Sequence, residues 1–182
     1  EFGGLAGVHL DETAKYLLMS VALGELRDGL SVYRRNAEDA ALVASMCETV
    51  SELKTAGVEP EILRAVARDA SGGLSDKLGD IALIFETYQA LIEQGYTDPD
   101  DNLRRACKKL EEHPDFLEDY EVFIDGFMAF MGAEWRMLAL LLEFCPRVTV
   151  TLTCEGPQAP GATGALSAPA RTAHRLTEMA KR

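Results

Sequence analysis

Residues 121–153 constrain the fold of this chain of 182 residues more than any other stretch. Val122-Phe123-Ile124 is a short apolar run of β-type residues, and a second run, rich in Val and Thr, extends from Val148 to Leu152. Between them, apolar residues fall at helical spacing, at Trp135, Leu138, Leu141 and Leu142. A strand, a helix and a strand in this order form a βαβ unit, in which the two strands are parallel. Because two strands are not a stable sheet by themselves, we expect the other strands to lie outside this chain or to come from a partner.

The first part of the chain is dominated by apolar residues three and four positions apart, which predict helices. The first helix begins near Asp11 and weakens at Gly24. The others are expected over about 37–56, from Pro60, over about 75–94, and after Asp98-Pro99. The apolar face of the first helix is Leu17, Leu18 and Val21, that of the second is Leu42, Met46, Val50 and Leu53, and that of the third is Leu63 and Val66. In the fourth helix the face is Leu78, Ile81, Phe85, Tyr88 and Ile92, and in the fifth it is Leu103, Ala106, Cys107 and Leu110.

The end of the chain combines a loop with a last helix. Residues 155–169 contain three Pro and three Gly with a single charge, which predicts a flexible surface loop. A final helix is expected from about Ala170. Strands and helices together place the chain in the α/β class, with a mainly helical first part, residues 1–114, and the βαβ unit in residues 115–182.

The charge of the chain is strongly negative, with 18 Lys and Arg against 30 Asp and Glu and a net charge of −12. The negative charge is concentrated in residues 75–145, and residues 146–182 are mildly basic. So acidic a chain is a poor candidate for binding nucleic-acid phosphates by itself. No apolar run approaches the ~20 residues of a membrane helix, so we expect no membrane partner.

The cysteines argue against a metal or redox role. Cys47, Cys107, Cys145 and Cys154 include no Cys-x-x-Cys pair, and the three histidines are equally scattered. Zinc and iron–sulfur sites usually take closely spaced ligands, so we expect no metal site and buried thiols in a reducing cytoplasm. Because Glu1 is not an initiator Met, we also expect the chain to be an internal piece of a larger protein.

Asp125 is the most informative single residue for chemistry. P-loop nucleotide hydrolases use an Asp at the end of a buried strand to reach the magnesium ion of a nucleotide. The alternative is an Asp that only caps the turn after the strand. In active helicases a catalytic Glu follows this Asp, but here Gly126 follows it. The chain also contains no Gly-x-x-x-x-Gly-Lys-Ser/Thr loop, so we assign no catalytic residue and expect no ATP hydrolysis by this chain alone.

Two groups of cations are candidates for contact with DNA. The helix after Pro99 opens with acidic residues and continues with Arg104, Arg105, Lys108 and Lys109. This order stabilises a helix through its dipole, and a DNA-binding face is the alternative interpretation. Arg34 and Arg35 are the second group. Residues 127–131 form an apolar stretch that either packs in the core or is covered by a missing partner segment.

Three spaced segments resemble the AddB family, the B subunits of the bacterial AddAB ATP-dependent helicase–nucleases. They are residues 78–88, 96–103 and 123–127, and the similarity continues through Glu134, the strand of residues 148–153, and Thr172, Arg175 and Leu176. The resemblance implies that Ile124-Asp125-Gly126 is a degenerate helicase motif II, with its Asp kept and its Glu lost. It also implies that residues 96–103 are a degenerate form of the Asp-Phe-Asp-Asp-Leu segment of superfamily 1 helicases.

The resemblance further implies an architecture and a role. Residues 1–114 would be mostly the helical 1B-like insertion, and residues 115–182 the βαβ unit of a partial RecA-like 1A core with a parallel sheet. The parent would process double-strand breaks for recombinational repair with an AddA-like motor and nuclease subunit, and would scan DNA for the recombination hotspot sequence. It would use ATP, magnesium and an iron–sulfur cluster, none of them held by this segment, which would serve as a scaffold. The alternative is a stand-alone helical protein-interaction module without catalytic activity. Antiparallel or unpaired strands in residues 121–125 and 147–153 would rule out the RecA-like interpretation.

Overall fold

The computed structural model describes residues 8–158, 161 and 163–181. Over these residues the chain forms seven α-helices and two small parallel sheets, which confirms a mainly helical α/β fold. The helices are α1 Glu12–Leu26, α2 Ala40–Thr55, α3 Pro60–Asp69, α4 Gly73–Glu93, α5 Asn102–Glu112, α6 Gly132–Phe144 and α7 Ser167–Met179. The strands are β1 Val8–His9, β2 Tyr96–Thr97, β3 Glu121–Ile124 and β4 Arg147–Val150. Short 3₁₀ turns cover Arg27–Gly29, Arg34–Asn36, Pro99–Asp101 and Pro114–Leu117.

The chain divides into two compact units, residues 1–102 and 103–182. The division therefore falls at the first turn of α5, whereas the sequence suggested a boundary after residue 114. The reason is the packing of α5, since its Cys107 and Leu110 belong to the same apolar cluster as Leu117 and Leu140 of the second unit. The assignment of the units to subdomains of a helicase stays a prediction.

The core of the first unit is built on α4, against which α1 and α3 pack. The predicted stripe of α4 is largely confirmed, because Ile81, Phe85, Tyr88 and Ile92 are buried and only Leu78 is half-buried. On α2, Met46 and Val50 of the predicted face are buried as expected, with Leu42 and Leu53 half-buried beside them.

Helix α1 differs from its sequence interpretation in which face is buried. Asp11 caps its first turn as predicted, accepting a hydrogen bond of 2.8 Å from the backbone N–H of Ala14. Leu17 and Val21, however, are 59% and 48% exposed. The buried stripe starts instead at Lys15 and continues through Met19, Ala22 and Leu23. A lysine opens this stripe, so the apolar pattern alone did not reveal it.

A pair of very short strands joins the beginning and the end of the described part of the first unit. β1 and β2 are parallel, with Val8 opposite Tyr96 and His9 opposite Thr97. The ladder continues with a 3.0 Å bond from the N–H of Leu10 to the carbonyl of Thr97. Because each strand has only two residues, neither has the length that a sequence pattern needs to be recognised.

The second unit contains the βαβ element. β3 and β4 pair in parallel, in a register that places Glu121 opposite Arg147 and Ile124 opposite Val150. The prediction of parallel pairing is thereby confirmed, and the strand arrangement that would have ruled out the RecA-like interpretation is not found. Helix α6 lies between the two strands in sequence and buries Trp135 and Leu138. Its N-terminus is capped by Glu134, whose carboxylate accepts a 2.7 Å bond from the N–H of Met131.

The last helix begins earlier than predicted. α7 starts at Ser167 rather than near Ala170, because Pro169 fits into the first turn, where it has no hydrogen bond to lose. The predicted loop is correspondingly shorter, and its residues 159, 160 and 162 lie outside the described residues, as do residues 1–7. No α-helix in the described part of the chain is both long and apolar enough to cross a membrane.

The four cysteines are all unoxidised in the structure. Cys107 is buried as predicted, whereas Cys47, Cys145 and Cys154 are partly exposed. The described residues contain no group of three or more His, Cys, Asp or Glu side chains arranged to hold a metal ion.

Candidate functional site

Asp125 lies directly after β3, at the carboxyl ends of the two parallel strands. The ladder continues past both strands, since the N–H of Thr151 donates a 2.9 Å bond to the carbonyl of Ile124. The hydroxyl of Thr151 then donates a hydrogen bond to the Oδ1 atom of Asp125. The carboxyl ends of parallel strands are where open α/β sheets bind their ligands. The structure therefore places Asp125 at the edge of the sheet where a motif II carboxylate is expected.

The charge of Asp125 is stabilised locally. The hydrogen bond from Thr151, followed by one from the backbone N–H of Gly126, holds the pKa of Asp125 below its ordinary value. The side chain is fully exposed and therefore ionised at neutral pH. Gly126 itself has a φ of +84°, in the left-handed region that favours glycine. A residue with a side chain, such as Glu, would therefore adopt this backbone conformation only with strain.

A recess of about 380 Å³ opens beside Asp125. Its walls are mostly apolar and come from β3, the β3–α6 loop and α6, with Leu103 from α5. Asp125 and Glu134 contribute the two carboxylates of the lining. The carboxylate of Glu134 caps the N-terminus of α6. Of the two acidic side chains in the lining, Asp125 is therefore the one that does not cap a helix.

The loop after Gly126 is held from two sides. The Phe127 and Phe130 rings are stacked with centroids 4.9 Å apart, and Phe130 meets Trp135 of α6 edge-on at 5.4 Å. From α7, the guanidinium of Arg175 lies 4.0 Å from the centre of the Trp135 ring. This arrangement fixes the loop on α6 and α7, which explains why α7 forms part of the second unit.

The core interpretation of residues 127–131 holds for only part of that stretch. Phe130 is buried in the core, whereas Phe127, Met128 and Met131 are exposed. The buried hydroxyl of Thr172 donates a 3.2 Å bond to the carbonyl of Met128, so the backbone of the exposed part is also anchored. The stretch is therefore an ordered loop with an apolar outer surface.

The residues present do not fit a complete magnesium–nucleotide site. P-loop NTPases hold magnesium with the Ser or Thr of the phosphate-binding loop together with the motif II Asp. Asp125 is in position, but one of its oxygens already accepts the Thr151 hydroxyl, and the sequence contains no phosphate-binding loop. The cysteines do not fit an iron–sulfur cluster either, because the sequence contains no Cys-x-x-Cys pair and the described residues contain no group of three or more possible metal ligands.

The six cations that the sequence singled out for DNA contact fall in different units. Arg34 and Arg35 are exposed in the first unit, and Arg34 is paired with Asp28 at 3.1 Å. Arg104, Arg105 and Lys109 are half-buried on α5, whereas Lys108 is exposed with its Nζ atom 3.9 Å from a Glu112 oxygen. In each unit the cations belong to a single element, which is the 3₁₀ turn Arg34–Asn36 in the first unit and α5 in the second.

A buried ionic cluster is the main feature that sequence reasoning missed. The Nζ atom of Lys54 lies 2.6 Å from Asp98 and 2.9 Å from Asp101, and Lys15 lies 2.9 Å from Asp100 and 3.3 Å from Asp98. Asp98 also caps the 3₁₀ turn, by accepting the N–H of Asp100 at 3.0 Å. The aspartates were interpreted as helix-dipole partners, but they tie the segment after β2 to α1 and α2.

The ionic cluster leaves a signal in the sequence. Lys15 and Lys54 each stand at a helical position that continues an apolar stripe, four residues from Met19 and from Val50, respectively. A lysine in such a position needs a buried carboxylate, since an unpaired buried charge is very costly.

Asp80 on α4 is another buried carboxylate that the sequence interpretation passed over. It accepts three backbone hydrogen bonds, from Ser31 at 2.9 Å, Val32 at 2.7 Å and Tyr33 at 3.1 Å. The side chain is almost completely buried. Asp80 therefore fixes the loop between α1 and α2 onto α4.

Together, the fold and the site define a mainly helical α/β protein with an exposed carboxylate at the end of a parallel strand pair and no phosphate-binding loop in its sequence. The comparison with protein families is more specific. The family described as ADDB, N-terminal matches residues 1–182, and the chain belongs to this family.

Individual relatives agree with the family assignment. A protein of Caldanaerobacter subterraneus is 33% identical over 85% of this chain and 13% of its own length. One of Clostridium acetobutylicum is 29% identical over 100% of the chain and 16% of its own length, and one of Heliobacterium modesticaldum is 31% identical over 84% and 13%. All three are named as the B subunit of an ATP-dependent helicase/deoxyribonuclease. The chain thus spans only about a seventh of the relatives that it matches.

Proposed function

We propose that this chain is a region of the B subunit of an ATP-dependent helicase and deoxyribonuclease that processes double-strand breaks for recombinational repair. The observation that carries the proposal is the match of the whole chain to the ADDB, N-terminal family. The name shared by the relatives supports the helicase and nuclease activity of the complete protein. Because these relatives are bacterial enzymes that act on DNA, the proposed place of action is the cytoplasm, where the DNA is.

Within that protein, residues 1–114 form mostly a helical 1B-like insertion, except that α5 packs in the second compact unit. Residues 115–182 form a βαβ unit of a RecA-like 1A core. Three observations support this assignment: the parallel pairing of β3 and β4, the helix α6 between them, and the position of Asp125 at their carboxyl ends. The exposed side of Phe123 on β3 is consistent with a sheet that other parts of the protein complete.

The segment works as a scaffold around a degenerate helicase site. Asp125 keeps the position of motif II, but it is bound to Thr151, and Gly126 replaces the general base. The site therefore joins the ends of two strands instead of activating water. ATP and magnesium are used by an AddA-like motor and nuclease subunit, and the iron–sulfur cluster of the complex is held by other segments.

DNA is the substrate of the complex, and this region contributes cations to its path. Arg34 and Arg35 in the first unit and Arg104, Arg105, Lys108 and Lys109 on α5 are the proposed contacts. Exposure supports this role for Arg34, Arg35 and Lys108. The overall acidity of the chain means that these residues act together with basic segments elsewhere in the complex.

The test is an Asp125→Ala substitution in the full-length protein assembled with its partner. We expect ATP-dependent unwinding and degradation of linear duplex DNA to stay at the wild-type level, because the motor lies in the partner. The control replaces the phosphate-loop lysine of the partner's motor, which should abolish both activities. Loss of activity in Asp125→Ala as complete as in this control would contradict the degenerate site, as would tight binding of magnesium–ATP by this chain.

A further inference from the structure

The loop between α1 and α2 encloses a polar recess of about 810 Å³ in the first unit. Its lining consists of Arg27, Asp28, Ser31, Val32, Arg34 and Arg35. Arg27 was not among the sequence candidates, because it is separated from Arg34 and Arg35 by a stretch without basic residues. The fold thus brings the guanidinium group of Arg27 into the same recess as those of Arg34 and Arg35, although Arg27 is separate from that pair in the sequence.

The backbone of the loop between α1 and α2 is fixed by buried side chains and by hydrogen bonds to α4. Leu30 and Ala37 are buried at its two ends, and the Asp80 carboxylate accepts the backbone N–H groups of residues 31–33. The side chains of the recess, in contrast, are exposed. A fixed backbone with outward-facing arginines keeps low the entropy cost of binding an anion.

Two of the arginines have internal partners, but they keep most of their donors. The Nη1 atom of Arg27 lies 2.6 Å from Glu38, and the Nη2 atom of Arg34 lies 3.1 Å from Asp28. A guanidinium has five N–H groups, so each arginine can still bind a second anion. Exposed ion pairs of this kind contribute little stability and are easily exchanged. Arg35 has no ion pair within the described part of the chain.

We propose that this recess binds the phosphodiester backbone of DNA through Arg27, Arg34 and Arg35. Guanidinium groups match phosphate oxygens with paired hydrogen bonds, and the hydroxyl of Ser31 in the same lining is an additional donor. Asp28 and Glu38 hold the arginines in place when DNA is absent and compete with phosphate for them. The inference rests on the proposed function, since it is the complex named a helicase and deoxyribonuclease that brings DNA to this surface.

The experiment measures binding of a linear duplex oligonucleotide to the full-length protein in complex with its partner over a range of salt concentrations. Arg35→Ala should weaken binding about tenfold, the effect of one charge-assisted hydrogen bond to phosphate. It should also reduce the slope of log K against log salt by about one. Arg68→Ala removes the same charge from an exposed position on α3 and is the matched control, with less than a twofold change expected.

A second variant should have the opposite effect on DNA affinity. Asp28→Asn removes the carboxylate that competes for Arg34, so it should tighten DNA binding about twofold or more. A general disturbance of the loop would instead weaken binding in every variant. Equal affinities and salt slopes for Arg35→Ala and Arg68→Ala, or weaker binding by Asp28→Asn, would overturn the proposal.

Two additional measurements separate this proposal from its rivals and from the proposed function. If Arg35→Ala weakened assembly with the partner or binding of ATP but left DNA affinity unchanged, the recess would be a protein or nucleotide contact and the proposal would be overturned. The proposed function fails separately, if the wild-type complex does not degrade duplex DNA in the presence of ATP. DNA binding is read without ATP, so the two failures are distinguishable.

Discussion

The ammonium group of Lys54 lies 2.6 Å from a carboxylate oxygen of Asp98, and the two side chains are 4% and 1% exposed. Asp101 accepts a second bond from the same ammonium at 2.9 Å, and the ring of Tyr88 lies 5.5 Å from it. This contact connects α2 to the segment after β2, across 44 residues of sequence. Buried ion pairs add little net stability compared with apolar packing, but they are costly to break from one side.

Lys54→Met should therefore destabilise the first unit by about 3 kcal/mol, the lower end of the cost of a broken buried pair. The value lies at the lower end because Lys15 remains as a partner of Asp98. Urea unfolding followed by circular dichroism, or hydrogen exchange of α2 in the full-length protein, measures the loss. Lys77→Met is the control, since Lys77 is exposed on α4 and should change stability by less than about 0.5 kcal/mol. Equal stabilities of the two variants would contradict the importance of the cluster.

The same cluster predicts how stability depends on pH. Burial alone would raise the pKa of Asp98, but the hydrogen bond and charge of Lys54 outweigh it, so the pKa of Asp98 lies below its ordinary value. Its stabilising contribution is therefore complete above the unfolded pKa of about 3.9 and is lost as the pH falls through the lower folded pKa.

The pKa of Lys15 is shifted in the opposite direction to that of Asp98. Burial alone would lower its pKa, but the hydrogen bond to Asp100 and the charge of Asp98 raise it above the ordinary value. Its contribution is complete below the unfolded pKa of about 10.4 and is lost as the pH rises through the folded pKa. Unfolding free energies measured against pH should thus fall in strong acid and strong alkali. In Asp98→Asn the acid limb should be shallower, and an unchanged acid limb would contradict this assignment.

Asp80→Ala should release the loop that carries the arginine recess. Three buried or half-buried backbone N–H groups lose their acceptor, and one unsatisfied buried group costs about 1–3 kcal/mol. Hydrogen exchange of the amides of residues 31–33 should accelerate strongly. Asp76→Ala, an exposed aspartate one turn earlier on α4, should leave these amides protected. Protection that survives in Asp80→Ala would show that the loop is held by other contacts.

Local periodicity was enough to predict some elements. The α4 stripe from Ile81 to Ile92 and the parallel pairing of β3 with β4 follow from the spacing of apolar residues and from the length of the connection. The register Ile124 opposite Val150 then puts Asp125 beside Thr151. The contact between Asp125 and Thr151 is predictable once the register of the two strands is known, but not from the ends of the strands alone.

Contacts between residues distant in sequence were not predictable from one chain. Lys15 is 85 residues from Asp100, and Asp80 is 49 residues from Ser31, so no local pattern links these partners. The buried face of α1 was missed for the same reason, because a charged residue belongs to it only through its remote carboxylates. The recess between Arg27 and Arg35 likewise depends on how Asp80 folds the loop.

A substitution at Gly126 tests whether the proposed degenerate helicase site can be restored by a single residue. Gly126→Glu recreates the Asp-Glu pair of an active motif II, but the sequence still lacks the phosphate-binding loop. We therefore expect no ATPase activity when the full-length variant is assembled with a motor-inactive partner. A Cβ atom at this position meets no neighbour within 4 Å, so the φ of +84° is the source of strain. The variant should lose about 1 kcal/mol or more of stability.

Gly24→Glu is the matched control for this strain. Gly24 lies within α1, has open space around it and does not have a positive φ, so Glu should be neutral or stabilising there, by up to about 1 kcal/mol. ATP hydrolysis by the Gly126→Glu complex would show that phosphates are bound at this site by groups outside the chain. Since the partner's motor is inactive in this assay, such activity would contradict the expectation that the missing phosphate-binding loop prevents ATP hydrolysis at Asp125 even when the Glu is restored.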